Sequence, residues 1–86
     1  MALNVNVVSA DRQVWAGTAS QVVARTVEGE IGILSGHQPM LALLAQGEVR
    51  VTTEGGEQIS VDAEGGFLSV DHDTINIVAG KATLVA

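Results

Sequence analysis

The sequence predicts an all-β protein, an antiparallel β-sandwich of about nine or ten short strands in two sheets, and three observations carry that expectation. Of 86 residues, 13 are Val, 5 Ile and 6 Thr, and side chains branched at Cβ suit a pleated strand better than a helix. The ten glycines recur near the spacing of about 8–12 residues that separates strands in small sandwiches and barrels. Apolar and polar residues alternate through several segments, the period of a strand with one buried face. No linker composition interrupts the chain, so residues 1–86 read as a single domain.

The elements follow in order. Leu3, Val5 and Val7 alternate with Asn4 and Asn6 in a half-buried first strand, closed by the polar stretch Ser9 to Gln13. A short strand over Val14 to Ala16 should stop at Gly17, and Ala19 to Val27 forms a longer one. Residues 28–39 hold three glycines and Pro39, which excludes a long regular element there. Met40 to Ala45 has good helix formers behind a proline, but six residues make a marginal helix, so it reads as a strand buried on both faces. Glu48 to Glu54 alternates, Gly55-Gly56 reads as a two-residue hairpin loop, and Glu57 to Asp62 returns. Gly65-Gly66 precedes a strand over Phe67 to Val70. The polar turn Asp71-His72-Asp73 leads to Ile75 to Ala79, and Gly80 separates that from Ala82 to Val85.

Charge narrows the function. Ten Asp and Glu against four Lys and Arg give a net charge of −6, too little positive charge to neutralise a run of phosphates, which disfavours nucleic acid and anionic membrane surfaces. The chain has no cysteine, which removes disulfides, thiolate metal sites and a cysteine nucleophile. The longest apolar run, Met40 to Ala45, is six residues, against the roughly 20 of a membrane-spanning helix. The first residues lack a signal peptide's basic and apolar regions, so the chain is expected to stay where it is made.

Catalytic and ligand-binding signals are weak. Ser35, His37 and Glu30 contain the residue types of a hydrolytic triad, but no Gly-x-Ser-x-Gly elbow carries the serine. Asp71-His72-Asp73 offers oxygen and imidazole donors without a second nearby histidine, and reads as a solvated turn rather than a metal site. The Gly29, Gly32, Gly36 spacing matches neither a Rossmann fingerprint nor a P-loop. No cofactor, metal or catalytic residue is therefore expected.

Two other features point outward. Alternation fails at Val7-Val8, Val22-Val23, Leu41 to Ala45 and Ile77-Val78-Ala79, and adjacent strand residues face opposite sides. A short sandwich has one core, so some of these side chains should form an external apolar patch of the kind that meets a protein partner. The second feature is the bent segment carrying Glu30, Ser35, His37 and Gln38, with Ile31, Ile33 and Leu34 expected to pin its base to the core. Conserving no regular element, such a segment suits a recognition loop on a rigid scaffold.

At that loop the sequence resembles a known family. EGEIGILSGHQPMLALLAQGEVRV, Glu28 to Val51, is similar to the signature of the epsilon subunit of F-type ATP synthases, a Gly-Glu-hydrophobic-Gly run leading into Pro-Gly-His-x-Pro and a Leu-rich strand. Leu3 to Asp11 resembles the family's opening Val-Val-Ser-Ala segment, and the Gly65-Gly66-Phe67 stretch its Gly-Gly-hydrophobic one. The family's N-terminal domain is a sandwich of about ten strands, in agreement with the strand count.

The resemblance implies a non-catalytic rotor subunit of the proton-translocating synthase. It would bind the gamma subunit of the central stalk, rest on the polar loops of the c-ring and help couple proton flow to ATP synthesis. Glu30 and His37 match family positions that face the c-ring, with Ser35 and Gln38 as weaker candidates. The apolar exterior would face gamma, with Val8, Val23, Leu41, Leu43 and Val78 as candidates. The implied location is peripheral, on the membrane face bearing the catalytic head, the cytoplasmic side of a bacterial plasma membrane, without direct insertion. Ser35 stands where the family commonly has proline, which should loosen the loop's backbone. The family continues into a pair of C-terminal helices that would begin just past Ala86; a truncated chain is the first expectation and a naturally short subunit the second. A free-standing β-sandwich module that binds a small ligand is the alternative, and it requires a concave polar pocket.

Overall fold

Alternating burial along the chain is realised in seven hydrogen-bonded strands. The computed structural model describes residues 2–85, with β1 (Leu3–Val8), β2 (Gln13–Thr26), β3 (Gly29–Leu34), β4 (Met40–Leu43), β5 (Gly47–Thr53), β6 (Gln58–Asp71) and β7 (Thr74–Val85). Among the described residues there is no helix, hence none long and apolar enough to cross a membrane. Hydrogen bonding runs in the order β1-β7-β6-β5-β2-β3, β4 pairs with β6, and β1 also pairs with β2. That last pairing closes the sheet into a barrel-like sandwich.

The strands number fewer than nine or ten because three of them continue through bends: β6 and β7 bend at the glycines where the sequence suggests that a strand ends, while β2 does not stop at Gly17, which pairs with Val5, but bends at Ser20. In β2 the buried residues are Ala19 and then Val22, Ala24 and Thr26, and the pairing with β5 shifts register between Ala19 and Gln21. Buried Val61 and Ala63 give way to Leu68 and Val70 in β6, and Ile75, Ile77 and Ala79 to Ala82 in β7. An odd step in a period-two pattern turns the strand over, and there it passes from one layer to the other. Counting each half of these three strands separately restores ten segments.

Glycine makes the β6–β7 corner possible. Gly65 and Gly66 have φ of 67° and 102°, and a Cβ on Gly66 would lie 1.9 Å from the Val78 carbonyl oxygen. Only a residue without a side chain fits there. One layer comprises β1, β4 and the parts of β2, β6 and β7 paired with them; the other comprises β3, β5 and the remaining parts. Between the layers lie fully buried Leu3, Val5, Ile33, Val51, Leu68, Ile75 and Ile77, with Trp15, Met40 and Ile59 packed against the edge of this core.

Three local expectations are corrected. β1 runs parallel to β7, although an antiparallel sandwich is expected. It lies between β2 and β7, which run in opposite directions at that point, so it must be parallel to one of them. Met40 to Ala45 is not buried on both faces: β4 pairs along its length only with β6, and Leu41 and Leu43 are 71% and 62% exposed. The loop at Gly55-Gly56 has three residues, Glu54 to Gly56. Thr53 N–H donates to the Glu57 carbonyl at 2.7 Å and Gly56 has φ 89°, the pattern of a turn followed by a left-handed glycine.

The corner yields a test by denaturant unfolding. Gly66→Ala should lose at least about 2 kcal/mol, from the clash and the left-handed backbone together. Gly32→Ala, whose Cβ would meet nothing nearer than Gln21 Nε2 at 3.9 Å, should stay within about 0.5 kcal/mol of the parent.

Candidate functional site

The segment from Ser35 to Pro39 carries the chain from β3 in one layer to β4 in the other, and hydrogen bonds hold its first half. Gly36 takes a φ of 85°, and His37 N–H donates to the Leu34 carbonyl at 3.2 Å. Asp73, in the β6–β7 turn, accepts from Gly36 N–H through Oδ1 at 2.7 Å and from the Ser35 hydroxyl through Oδ2 at 3.3 Å. Ile33 is fully buried and roots the segment in the core, as expected, but Leu34 is 58% exposed and does not.

His37 has a defined tautomer. Its Nδ1 lies 2.7 Å from the Gln38 carbonyl oxygen. A carbonyl only accepts, so Nδ1 carries the hydrogen and Nε2 of the neutral ring is left as an acceptor. Ser35 gives its hydroxyl hydrogen to Asp73 and His37 binds its neighbour's carbonyl, so the pair does not form the nucleophile and base of an acyl-transfer site.

Glu30 stands apart from this loop. It lies near the start of β3, opposite Arg25 in register, and pairs with Arg50 Nη2 at 3.5 Å. The four residue steps of strand from Glu30 to Leu34 span about 13 Å. Ser35, His37 and Gln38 are therefore grouped, and Glu30 lies on the outer face of the second layer.

The two outer faces differ in chemistry. On the first layer, register aligns Leu43 with Phe67, Phe67 with Val78, and Val78 with Val8. A parallel row runs Leu41, Ser69, Asn76, Asn6, with Asn6 Nδ2 donating to Asn76 Oδ1 at 3.4 Å and Gln13 Nε2 to Asn6 Oδ1 at 3.3 Å. These two rows hold no ionisable side chain. Val23 is not on this face. It pairs with Gly32 and Arg50 on the second layer, among Glu30, Glu48 and Arg50, which are joined by ion pairs of 3.5 and 3.8 Å. Phe67 is absent from the apolar candidates read from the sequence, although Phe67-Leu68 is itself a failure of alternation and marks it.

Two open concavities, of about 330 and 230 Å³, lie elsewhere. Asp62, Glu64, Lys81 and Gln46 line the larger, and Asp11, Arg12 and Lys81 the smaller. Among the described residues no group of three His, Cys, Asp or Glu is placed to hold a metal ion.

Comparison with known proteins converges on one family. The family model for the ATP synthase delta/epsilon chain β-sandwich domain matches residues 2–85. An ATP synthase epsilon chain of Micrococcus luteus is 57% identical over 82 residues, covering 95% of this chain and 90% of its own length. That of Frankia casuarinae is 49% identical over 85 residues, covering 98% and 99%. That of Streptomyces avermitilis is 45% identical, with 66% of its length covered. Among solved structures, a chain of the Euglena gracilis mitochondrial ATP synthase OSCP/F1/c-ring superimposes with a TM-score of 0.91 at 27% identity, over 96% of this chain and 53% of that one. A chain of the Tetrahymena thermophila central stalk/c-ring structure shares the fold, with a TM-score of 0.76 at 18% identity over 96% and 66%.

The outward side chains should be dispensable for folding. Glu30→Ala breaks only a half-exposed ion pair and should change unfolding free energy by less than about 0.5 kcal/mol. Leu68→Ala, at a fully buried site, should cost about 2–5 kcal/mol in the same urea titration.

Proposed function

From the premise that this chain belongs to the ATP synthase delta/epsilon β-sandwich family, we propose that it is a rotor subunit that joins gamma to the c-ring and so helps couple proton flow to ATP synthesis. It is a non-catalytic subunit of the synthase. The observation that carries the proposal is the division of its exterior into an uncharged face, whose two central rows hold no ionisable side chain and whose margin carries Asp71, a charged face and a hydrogen-bonded loop.

The uncharged face suits gamma. Exposed Leu41 and Leu43, with Phe67, Val78 and Val8 in register, form the apolar centre of a docking surface, and the Asn6, Asn76 and Ser69 row supplies neutral hydrogen-bonding groups beside it. Val23 lies on the opposite layer and is assigned no part in this contact.

Polar loops of the c-ring suit the remainder. With Nδ1 engaged by the Gln38 carbonyl, His37 has Nε2 left to meet a hydrogen-bonding group of the partner, and Ser35 and Gln38 flank it on the same loop. Glu30, at the far end of the edge strand β3, adds a carboxylate for a cationic or amide group, so the contact extends along β3 and around the loop. Charge and hydrogen-bond pairing of this kind fix orientation more than they add affinity. A closed sheet with one packed core transmits torque between the two partners without deforming.

The proposed place is peripheral, on the membrane face that bears the catalytic head, the cytoplasmic side in a bacterium. The scaffold role is assigned to residues 1–86 as one domain.

Two sets of variants separate the faces. Leu43→Ser with Phe67→Ser should weaken binding to purified gamma at least about tenfold, while Val23→Ser leaves it unchanged, as read by isothermal titration. Glu30→Ala with His37→Ala should weaken attachment to c-ring-bearing membranes by about tenfold or more, with an unaltered unfolding midpoint. Equal loss of gamma binding in Val23→Ser would reject the assignment of faces.

A further inference from the structure

Asp73 belongs to no contact surface described above, yet it holds the loop that does. We infer that Asp73 is the positioning residue of the 35–39 loop, its carboxylate setting the backbone that presents His37. The inference rests on the reading of that loop as a partner contact, and it names a residue 36 positions from His37 as a determinant of the contact.

Four observations converge on it. Both carboxylate oxygens are engaged, Oδ1 by Gly36 N–H at 2.7 Å and Oδ2 by the Ser35 hydroxyl at 3.3 Å. The shorter distance is that of a charge-assisted bond, stronger than a neutral one. The loop closes on itself in the next residue, where His37 N–H returns to the Leu34 carbonyl at 3.2 Å, so Ser35, Gly36 and His37 are tied in succession. Asp73 itself is fixed: it follows His72 in a two-residue turn with φ of 51° and 60°, a conformation Asp tolerates better than most residues. Its carbonyl accepts from Asn4 N–H at 2.8 Å. The loop is thereby referenced to the first strand and to the β6–β7 turn at once.

This arrangement answers the departure at position 35. Proline there would limit the backbone by its ring; serine does not, but it supplies a hydroxyl, and the carboxylate takes hold of that hydroxyl and of the next N–H. A side-chain clamp thus performs the stiffening for which a ring constraint is the alternative.

Asp73→Gly is the informative variant, because glycine accepts φ 60° and removes only the clamp. In the isolated chain, amide exchange of Gly36 read by NMR should quicken about tenfold or more, with the core amide of Ile77 unchanged. In the chain assembled with gamma, attachment to c-ring-bearing membranes should fall about tenfold. Adding Ser35→Pro to Asp73→Gly should restore attachment, since Leu34 is already in the extended conformation that precedes proline. Unchanged Gly36 exchange overturns the clamp. Faster exchange with full attachment, where His37→Ala alone loses it, overturns the positioning role and leaves the loop contact standing. If neither Asp73→Gly nor His37→Ala alters attachment, the loop contact itself fails and the inference falls with it.

Discussion

A chain of 86 residues can fill one core and no more, and the architecture follows from that limit. Each strand offers one face to the interior, so every apolar side chain on the other face needs solvent or a partner. Strands long enough to serve both layers must turn over to keep their apolar set inside, and β2, β6 and β7 do so at Ser20, Gly65-Gly66 and Gly80. The Gly66 corner is the most constrained of these, because the Val78 carbonyl occupies the space of its missing side chain. Without it the β6–β7 hairpin would present one half of its apolar residues to water.

The same limit explains the exterior. Exposed Leu41, Leu43 and Phe67 lie in register beside half-buried Val78 and Val8 across β4, β6, β7 and β1, while Val27, Leu34, Leu84 and Val85 are exposed elsewhere, and carboxylates and guanidinium groups occupy the outer face of β3, β2 and β5. Two faces of different chemistry on one stiff body suit a part that links two neighbours. The loop at residues 35–39 joins the layers at one end, and its conformation depends on a carboxylate from a distant turn rather than on its own sequence alone.

Much of this was legible in the residues, and the failures have physical causes. Alternation at Leu3, Val5 and Val7 and at Val49 and Val51 correctly separates inside from outside, because period two leaves a strand no other choice. Glycines at 65, 66 and 80 mark real discontinuities, whereas Gly17 lies in regular register opposite Val5 and β2 bends at Ser20 instead; the chain alone does not say whether a glycine ends a strand, bends it or does neither. That depends on whether a neighbour's hydrogen bonds continue through the break. Met40 to Ala45 looks the same whether its second face meets a core or a partner, so the exposure of Leu41 and Leu43 is invisible in the run itself. Val23 and Val78 carry identical signals and lie on opposite layers, since register alone decides which face a strand residue shares. The partnership of Ser35 with Asp73 spans 38 positions, and no local pattern announces it; the acidic turn reads as hydrated until β6 and β7 are placed beside the loop.

Joining gamma through the uncharged face is the reading on which the rotor role stands. Amide hydrogen exchange of the chain, alone and saturated with purified gamma, tests it without altering a residue. Protection should rise in β4, in the second half of β6 from Phe67 to Asp71 and in the first half of β7 from Thr74 to Ala79, with β3 and β5 unchanged. Protection confined to β3 and β5, or none on β4 and β6 at saturation, would place gamma on the charged layer or nowhere on this domain.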